Sequence, residues 1–127
     1  MTRARLALAV LACVVASMTS SPASATDFVS RSGGCDGGPS VWRLVAVRGD
    51  DGYLRLRFRI DTGVAGQEWQ IFLSDNGARI ASVTRISGED GFVRLARKTL
   101  DRDGIDEVKA AGVNRPTGES CSGYLRI

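Results

Sequence analysis

The chain has 127 residues, with 17 Lys and Arg against 14 Asp and Glu and no histidine. The missing imidazole removes the commonest general base, the Ser-His-Asp and Cys-His pairings and most zinc sites. The formal charge of +3 falls to +1 once Arg3 and Arg5 are set aside with the leader described next, so the basic isoelectric point is no nucleic-acid signature and no nucleic-acid partner is expected.

Residues 1–25 read as a secretory signal peptide. Arg3 and Arg5 form a positive start, Leu6 to Met18 is an apolar run too short to span a bilayer, and Ala23-Ser24-Ala25 is a small-x-small cleavage site. Cys13 raises a rival, because Leu11-Ala12-Cys13 approaches a lipobox and would give a lipid-anchored protein. Too few apolar residues precede it, and the preferred reading is a secreted protein with no transmembrane segment in the mature chain. Two cysteines then remain, Cys35 and Cys121. An exported chain with two cysteines is expected to join them, the alternatives being free thiols or intermolecular pairing. A bridge closing so long a loop stabilises by about 4–5 kcal/mol on a chain-entropy estimate.

Residues 26–40 read as a Gly/Ser-rich N-terminal tail pinned at Cys35, and 41–127 as the folded domain. Val41 to Arg48 is a first strand, apolar on both sides. In Tyr53 to Ile60 the alternation is clean: Leu54, Leu56, Phe58 and Ile60 share one face, and Arg55, Arg57 and Arg59 the other. Gln67 to Leu73 follows, with Trp69 as a core anchor beside Ile71 and Leu73. Asp75-Asn76-Gly77 is a type I′ hairpin signal. A two-residue loop there sets Leu73 opposite Ile80 and Trp69 opposite Thr84, so Ser82 and Thr84 should face inward. Ala78 to Ile86 is the fourth strand; Phe92 to Lys98, Ile105 to Val113 (read as strand, although Glu107, Lys109 and the alanines also suit a helix) and Ser120 to Ile127 complete seven strands separated by Gly/Asp-rich turns. The fold class is all-β, a seven-stranded immunoglobulin-like antiparallel β-sandwich closed by one disulfide. The loop from Asp61 to Gly66 either closes a hairpin, setting Arg59 against Glu68, or crosses between sheets. The crossing is the reading adopted here.

The phrases DTGVAGQEWQIFLSDNG, DRDGIDEVKAAGVN and TGESCSGYLRI resemble a group of small secreted actinobacterial proteins of unknown function. The likeness runs from Cys35 to Ile127. It implies an exported, disulfide-closed β-domain, and no activity comes with it. The position of Trp69 and the hairpin at Asn76-Gly77 resemble an immunoglobulin-like sandwich. Unlike an antibody domain, this chain would tie its N-terminal segment to its last strand.

Three groups of residues invite a functional reading. Asp101, Asp103 and Asp106 in DRDGID suggest a loose calcium site, although Ile105, Asp106 and Gly112 break the EF-hand pattern; the bland alternative is a corner in which aspartates cap backbone amides. Arg55, Arg57 and Arg59 form a row suited to an anionic glycan or phosphate. Water-facing strand sides are commonly charged, and acids on neighbouring strands are expected to neutralise this one. Tyr53, Phe72 and Tyr124 are outward aromatics that would make a contact patch if two were adjacent. With oxidised cysteines, no phosphate-cradling loop and no distinguished carboxylate pair, no enzyme and no cofactor are expected. The chain reads as a secreted, non-enzymatic binding or interaction module for an extracellular protein or glycan. The alternatives are a small-ligand carrier with a cleft in the sandwich and a protease inhibitor presenting the Asp61–Gly66 loop.

Overall fold

The computed structural model describes residues 27–127; the segment read as a signal peptide, with Cys13, lies outside the described residues. Eight strands alternate with tight turns: β1 (Phe28–Gly34), β2 (Val41–Arg48), β3 (Tyr53–Asp61), β4 (Glu68–Asp75), β5 (Ala78–Ile86), β6 (Phe92–Leu100), β7 (Glu107–Asn114) and β8 (Ser120–Arg126). They form two four-stranded antiparallel sheets, in the orders β1-β2-β3-β6 and β5-β4-β7-β8. The chain changes sheet between β3 and β4, between β5 and β6, and between β6 and β7. The Asp61–Gly66 loop therefore crosses between sheets, and Arg59 and Glu68 belong to different sheets.

The core is what the period-two pattern dictates. Leu54, Leu56, Phe58 and Ile60 of β3 are buried, as are Trp69, Ile71 and Leu73 of β4, while Arg55, Arg57 and Arg59 are exposed. Burying each of the larger side chains stabilises by about 1.5–3 kcal/mol. Trp69 packs over Gly112 of β7, where a Cβ would meet the Ile60, Ile71 and Trp69 side chains, so a larger residue there would push the sheets apart. The second tryptophan, Trp42, tilts against Phe58 with ring centroids 6.4 Å apart. Its indole runs past Gly33 of β1 and Gly123 of β8, at distances from an added Cβ of 3.0 and 2.8 Å. The two glycines make room for the indole at the edge of the core.

Three expectations are corrected. The segment read as a tail contains β1, which pairs with β2 along its whole length, from Phe28↔Val47 to Gly34↔Val41. Its Ser-Gly-Gly run forms a strand because β2 supplies the backbone partners and Trp42 covers the missing side chain at Gly33. The sandwich thus has one strand more than expected. The other two corrections concern the β4–β5 hairpin. The turn is as read, with Asn76 at φ 49° and Gly77 at φ 81°. One step later a bulge opposite Leu73/Ser74 moves the register, so that Leu73 faces Ala81 and Trp69 faces Arg85. The extra residue reverses the faces of β5: Ala81 and Val83 turn inward, and Ser82 and Thr84 turn out to meet Gln70.

Cys35 and Cys121 are joined across 86 residues. Beside the bridge, Asp36 and Ser120 exchange two backbone hydrogen bonds of 2.7 and 3.0 Å. The carboxylate of Glu119 is buried over Gly38 and accepts from the Ser40 amide at 3.2 Å, so no side chain fits at Gly38. β1 and β8 are in contact along this side of the sandwich, and β5 meets β6 on the other. No helix among the described residues is long and apolar enough to cross a membrane.

Candidate functional site

Strand register converts the arginine row of β3 into a two-dimensional array. Because β2, β3 and β6 pair in antiparallel register, outward residues line up across the sheet. Val41, Asp61 and Phe92 form one cross-row; Arg43, Arg59 and Arg94 the next; then Val45, Arg57 and Ala96; then Val47, Arg55 and Lys98. β1 extends these rows with Ser32, Ser30 and Phe28. Directly opposed side chains start about 4.5–5.5 Å apart. Arg59 therefore stands between two other arginines, an arrangement that costs stability when nothing neutralises it.

The compensation is partial and local. Asp51, in the β2–β3 turn, takes Arg55 in a bidentate pair (Nη1–Oδ1 3.1 Å, Nη2–Oδ2 2.8 Å) and holds Lys98 at 3.1 Å. Hydrogen bonds from Arg55 and then Lys98 hold the Asp51 carboxyl well below the usual carboxylate range, and Asp51 in turn raises the Arg55 guanidinium. Asp90, in the β5–β6 turn, pairs with Arg94 at 2.7 Å, and that hydrogen bond, with one from the Phe92 amide, lowers its pKa. The Arg59 and Arg94 guanidinia both lie over the Phe92 ring, at 5.0 and 4.7 Å from its centroid. Arg43 donates to the Ser30 hydroxyl at 3.1 Å. Among the described residues, Arg43, Arg57 and Arg59 have no carboxylate within ion-pair distance. Neutralisation by acids on neighbouring strands is thus corrected: across β3 stand Val47 and Lys98, Val45 and Ala96, and Arg43 and Arg94. Arg43, Arg57, Arg59 and Arg94 surround a shallow depression of about 730 Å³ that reaches Phe28, Val45 and Ala96. Six cations share this face with Asp61, flanked by Asp51 and Asp90, so the rest of the near-neutral domain is net acidic.

The acid-rich corner is built differently. Asp106 is fully buried and Asp75 nearly so, while Asp103 is exposed. Asp106 lies within hydrogen-bond reach of both Asp101 and Asp75, so Asp75 takes the place that the sequence assigned to Asp103. Asn76 clasps the corner: its Nδ2 donates to Asp106 Oδ1 at 2.8 Å, and its Oδ1 accepts from the Glu107 amide at 2.9 Å. Arg48 approaches Asp101 at 2.8 Å as an ion pair, without the alignment of a hydrogen bond. Burial first, then the neighbouring Asp106, pushes the Asp75 carboxyl up to about 6. Burial and Asp101 raise that of Asp106. One oxygen each of Asp75, Asp101 and Asp106 is buried without a protein donor. Among the described residues no group of three or more His, Cys, Asp or Glu side chains is arranged to hold a metal ion, which gives the calcium reading of Asp101, Asp103 and Asp106 no support.

The outward aromatics separate. Phe72 and Tyr124 line one groove of about 370 Å³ on the β5-β4-β7-β8 sheet, floored by Ala111 and Ser122 and flanked by Arg79, which stacks on Phe72 at 4.8 Å. Tyr53 lies on the opposite face beneath Lys98, at 4.3 Å. Sequence reading missed Arg43, Arg94 and Lys98 as members of the arginine array. The alternation of β6 marks Arg94 and Lys98 as outward. Nothing local tells that β6 pairs with β3 rather than with its sequence neighbour β5. No family model matches the chain, and no curated protein or solved structure matches it.

Proposed function

We propose that this is an exported, non-enzymatic binding module that holds an anionic partner against the outer face of the β1-β2-β3-β6 sheet. The observation that carries the reading is the row Arg43–Arg59–Arg94, three guanidinia directly opposed on adjacent strands with a single carboxylate, Asp90, among them. Like charges opposite one another destabilise a sheet. An anion placed over them removes that cost and gains paired, charge-assisted hydrogen bonds from planar forks. The long-range disulfide and the resemblance to small secreted proteins support a location outside the cytoplasm. The strand order supports the immunoglobulin-like reading: β2, β3 and β6 share one sheet, and β5, β4, β7 and β8 the other.

The rival readings draw less support. A carrier needs a cavity between the sheets, where Phe58, Trp69, Ile71 and Leu125 are packed instead. An inhibitor loop needs an extended backbone. The crossing loop is folded into a turn, with positive φ at Gly63 and Gly66, and is tied down by Thr62 and Ser87. Retention of the mature domain on heparin and phosphocellulose tests the proposal. Binding should weaken steadily with salt and fall sharply in an Arg43→Ser, Arg59→Ser double variant. A domain that passes through both matrices at low salt, or a double variant retained like the parent, would sink the reading.

A further inference from the structure

We infer that the anionic partner is the surface of a phospholipid bilayer, with lipid phosphates seated among Arg43, Arg57, Arg59 and Arg94. This rests on the reading above, that the arginine face is the binding face. What points to lipid is the apolar company the arginines keep. Among the described residues eight large hydrophobic side chains are exposed, and Phe28 (52%), Val41 (51%), Val47 (37%) and Leu100 (55%) all belong to this sheet's outer face. Phe28 and Val47 are directly opposed, forming one continuous apolar edge beside Arg55. Leu100 and Tyr53 oppose each other at the same end.

A soluble polyanion offers these side chains nothing, because they remain in water or meet a hydrophilic chain. A bilayer surface satisfies both chemistries at once. Guanidinium forks take headgroup phosphates, while apolar tips reach the boundary of the acyl region. The long arginine stems let charge and apolar surface sit at different depths. Four strands side by side give a face roughly 15 Å wide, a broad patch matched to a two-dimensional ligand. The four-arginine depression, floored by Val45 and Ala96, then takes a headgroup anion. The net acidic remainder of the domain points away from the membrane, which fixes the orientation of docking.

Co-sedimentation of the disulfide-bonded mature domain with vesicles decides the matter. The vesicles are phosphatidylcholine alone, or phosphatidylcholine with one part in three of phosphatidylglycerol; heparin and inorganic polyphosphate serve as soluble comparisons. Binding should require phosphatidylglycerol and decline with salt. Each arginine removed should weaken it about fivefold, hence on the order of a hundredfold for an Arg43→Ser, Arg57→Ser, Arg59→Ser variant. A Val41→Ser, Leu100→Ser variant alters only exposed positions outside the arginine-lined depression. It should lose vesicle binding several-fold while its affinity for heparin stays unchanged. Binding to heparin or polyphosphate with no binding to anionic vesicles overturns the lipid inference and leaves the anion-binding reading standing. Failure on every probe overturns both. A Val41→Ser, Leu100→Ser variant that binds vesicles like the parent also overturns the inference, since attraction would then be electrostatic alone.

Discussion

Two clusters of like charge occur in this small domain, and they are tolerated by opposite means. The arginines of the β1-β2-β3-β6 face stand in water, keep their charge and are only partly matched by Asp51 and Asp90. The aspartates around Asp106 are shut away from water at the corner where the β4–β5 turn meets the β6–β7 loop, and there burial raises the pKa values of Asp75 and Asp106. Solvent screens the first cluster, so it can be held ready for a partner at modest cost. Burial makes ionisation of the second costly, so it is a structural joint whose strength depends on pH. Proximity in a cluster is therefore a poor guide to function by itself. What separates a binding face from a joint is whether the charges remain exposed and uncompensated.

The sharpest way to break the contrast is to remove the clasp of the buried corner. Asn76→Ala deletes the donor to Asp106 and the acceptor for the Glu107 amide, and places alanine at φ 49°. The expected loss of stability in urea unfolding is about 2–4 kcal/mol. A loss below ordinary surface values would mean that the corner is not a joint at all.

Asp75→Asn should act in the other direction. The Asp75 carboxyl titrates at about 6 in the folded chain against 3.8 for the free group. Between those values the folded state binds more protons than the unfolded one, so this group's penalty grows as pH rises through the window and is complete above it. Removing the charge should stabilise the domain at pH 7 by about 1–3 kcal/mol and have little effect near pH 4. Asp51 and Asp90 run the opposite way: their lowered pKa values contribute stability that is lost as pH falls below the free-carboxylate range. The parent should accordingly be most stable in mild acid, between about pH 4 and pH 6. Chemical denaturation across pH 3–8 of parent and Asp75→Asn checks both the sign and the window.

How far the sequence could be read follows the same physical divide between local and long-range determinants. Local period-two alternation placed Arg55, Arg57 and Arg59 outside and Leu54, Leu56, Phe58 and Ile60 inside. The residue pair Asn76-Gly77 specified its own turn. Pairing was not legible: the partners of β3 are β2, its neighbour in sequence, and β6, which is not, and only their register makes an array of the row. The bulge beside Leu73 was equally silent, since one unpaired residue in β5 reverses every side chain beyond it without changing composition. β1 escaped notice because glycine carries no alternation, and its strand exists by virtue of β2 and Trp42. At the corner, Asp101 and Asp106 stood out as neighbours in sequence, whereas Asp75 joined them only through the fold.

The smallest expected effect isolates the like-charge cost of the arginine row. Arg59 has arginines directly opposite on both sides, whereas Arg57 faces Val45 and Ala96. Replacing either with glutamine removes one positive charge from the same strand and leaves the core untouched. Only Arg59→Gln relieves two cross-strand repulsions, each on the order of 0.2–1 kcal/mol. It also gives up a stacking contact with Phe92, but Arg94 covers the same ring at 4.7 Å and keeps that interaction in place. Arg59→Gln should therefore unfold at about 0.5 kcal/mol higher free energy than Arg57→Gln in low salt, and the gap should close as salt screens the row. Both variants should bind anionic probes more weakly than the parent. If the stability gap is absent at low salt, the row is not strained, and an anion placed over it would have no repulsion to relieve. If it is present and closes with salt, the face keeps its charges at a standing cost to the fold, as a surface held ready for a partner must.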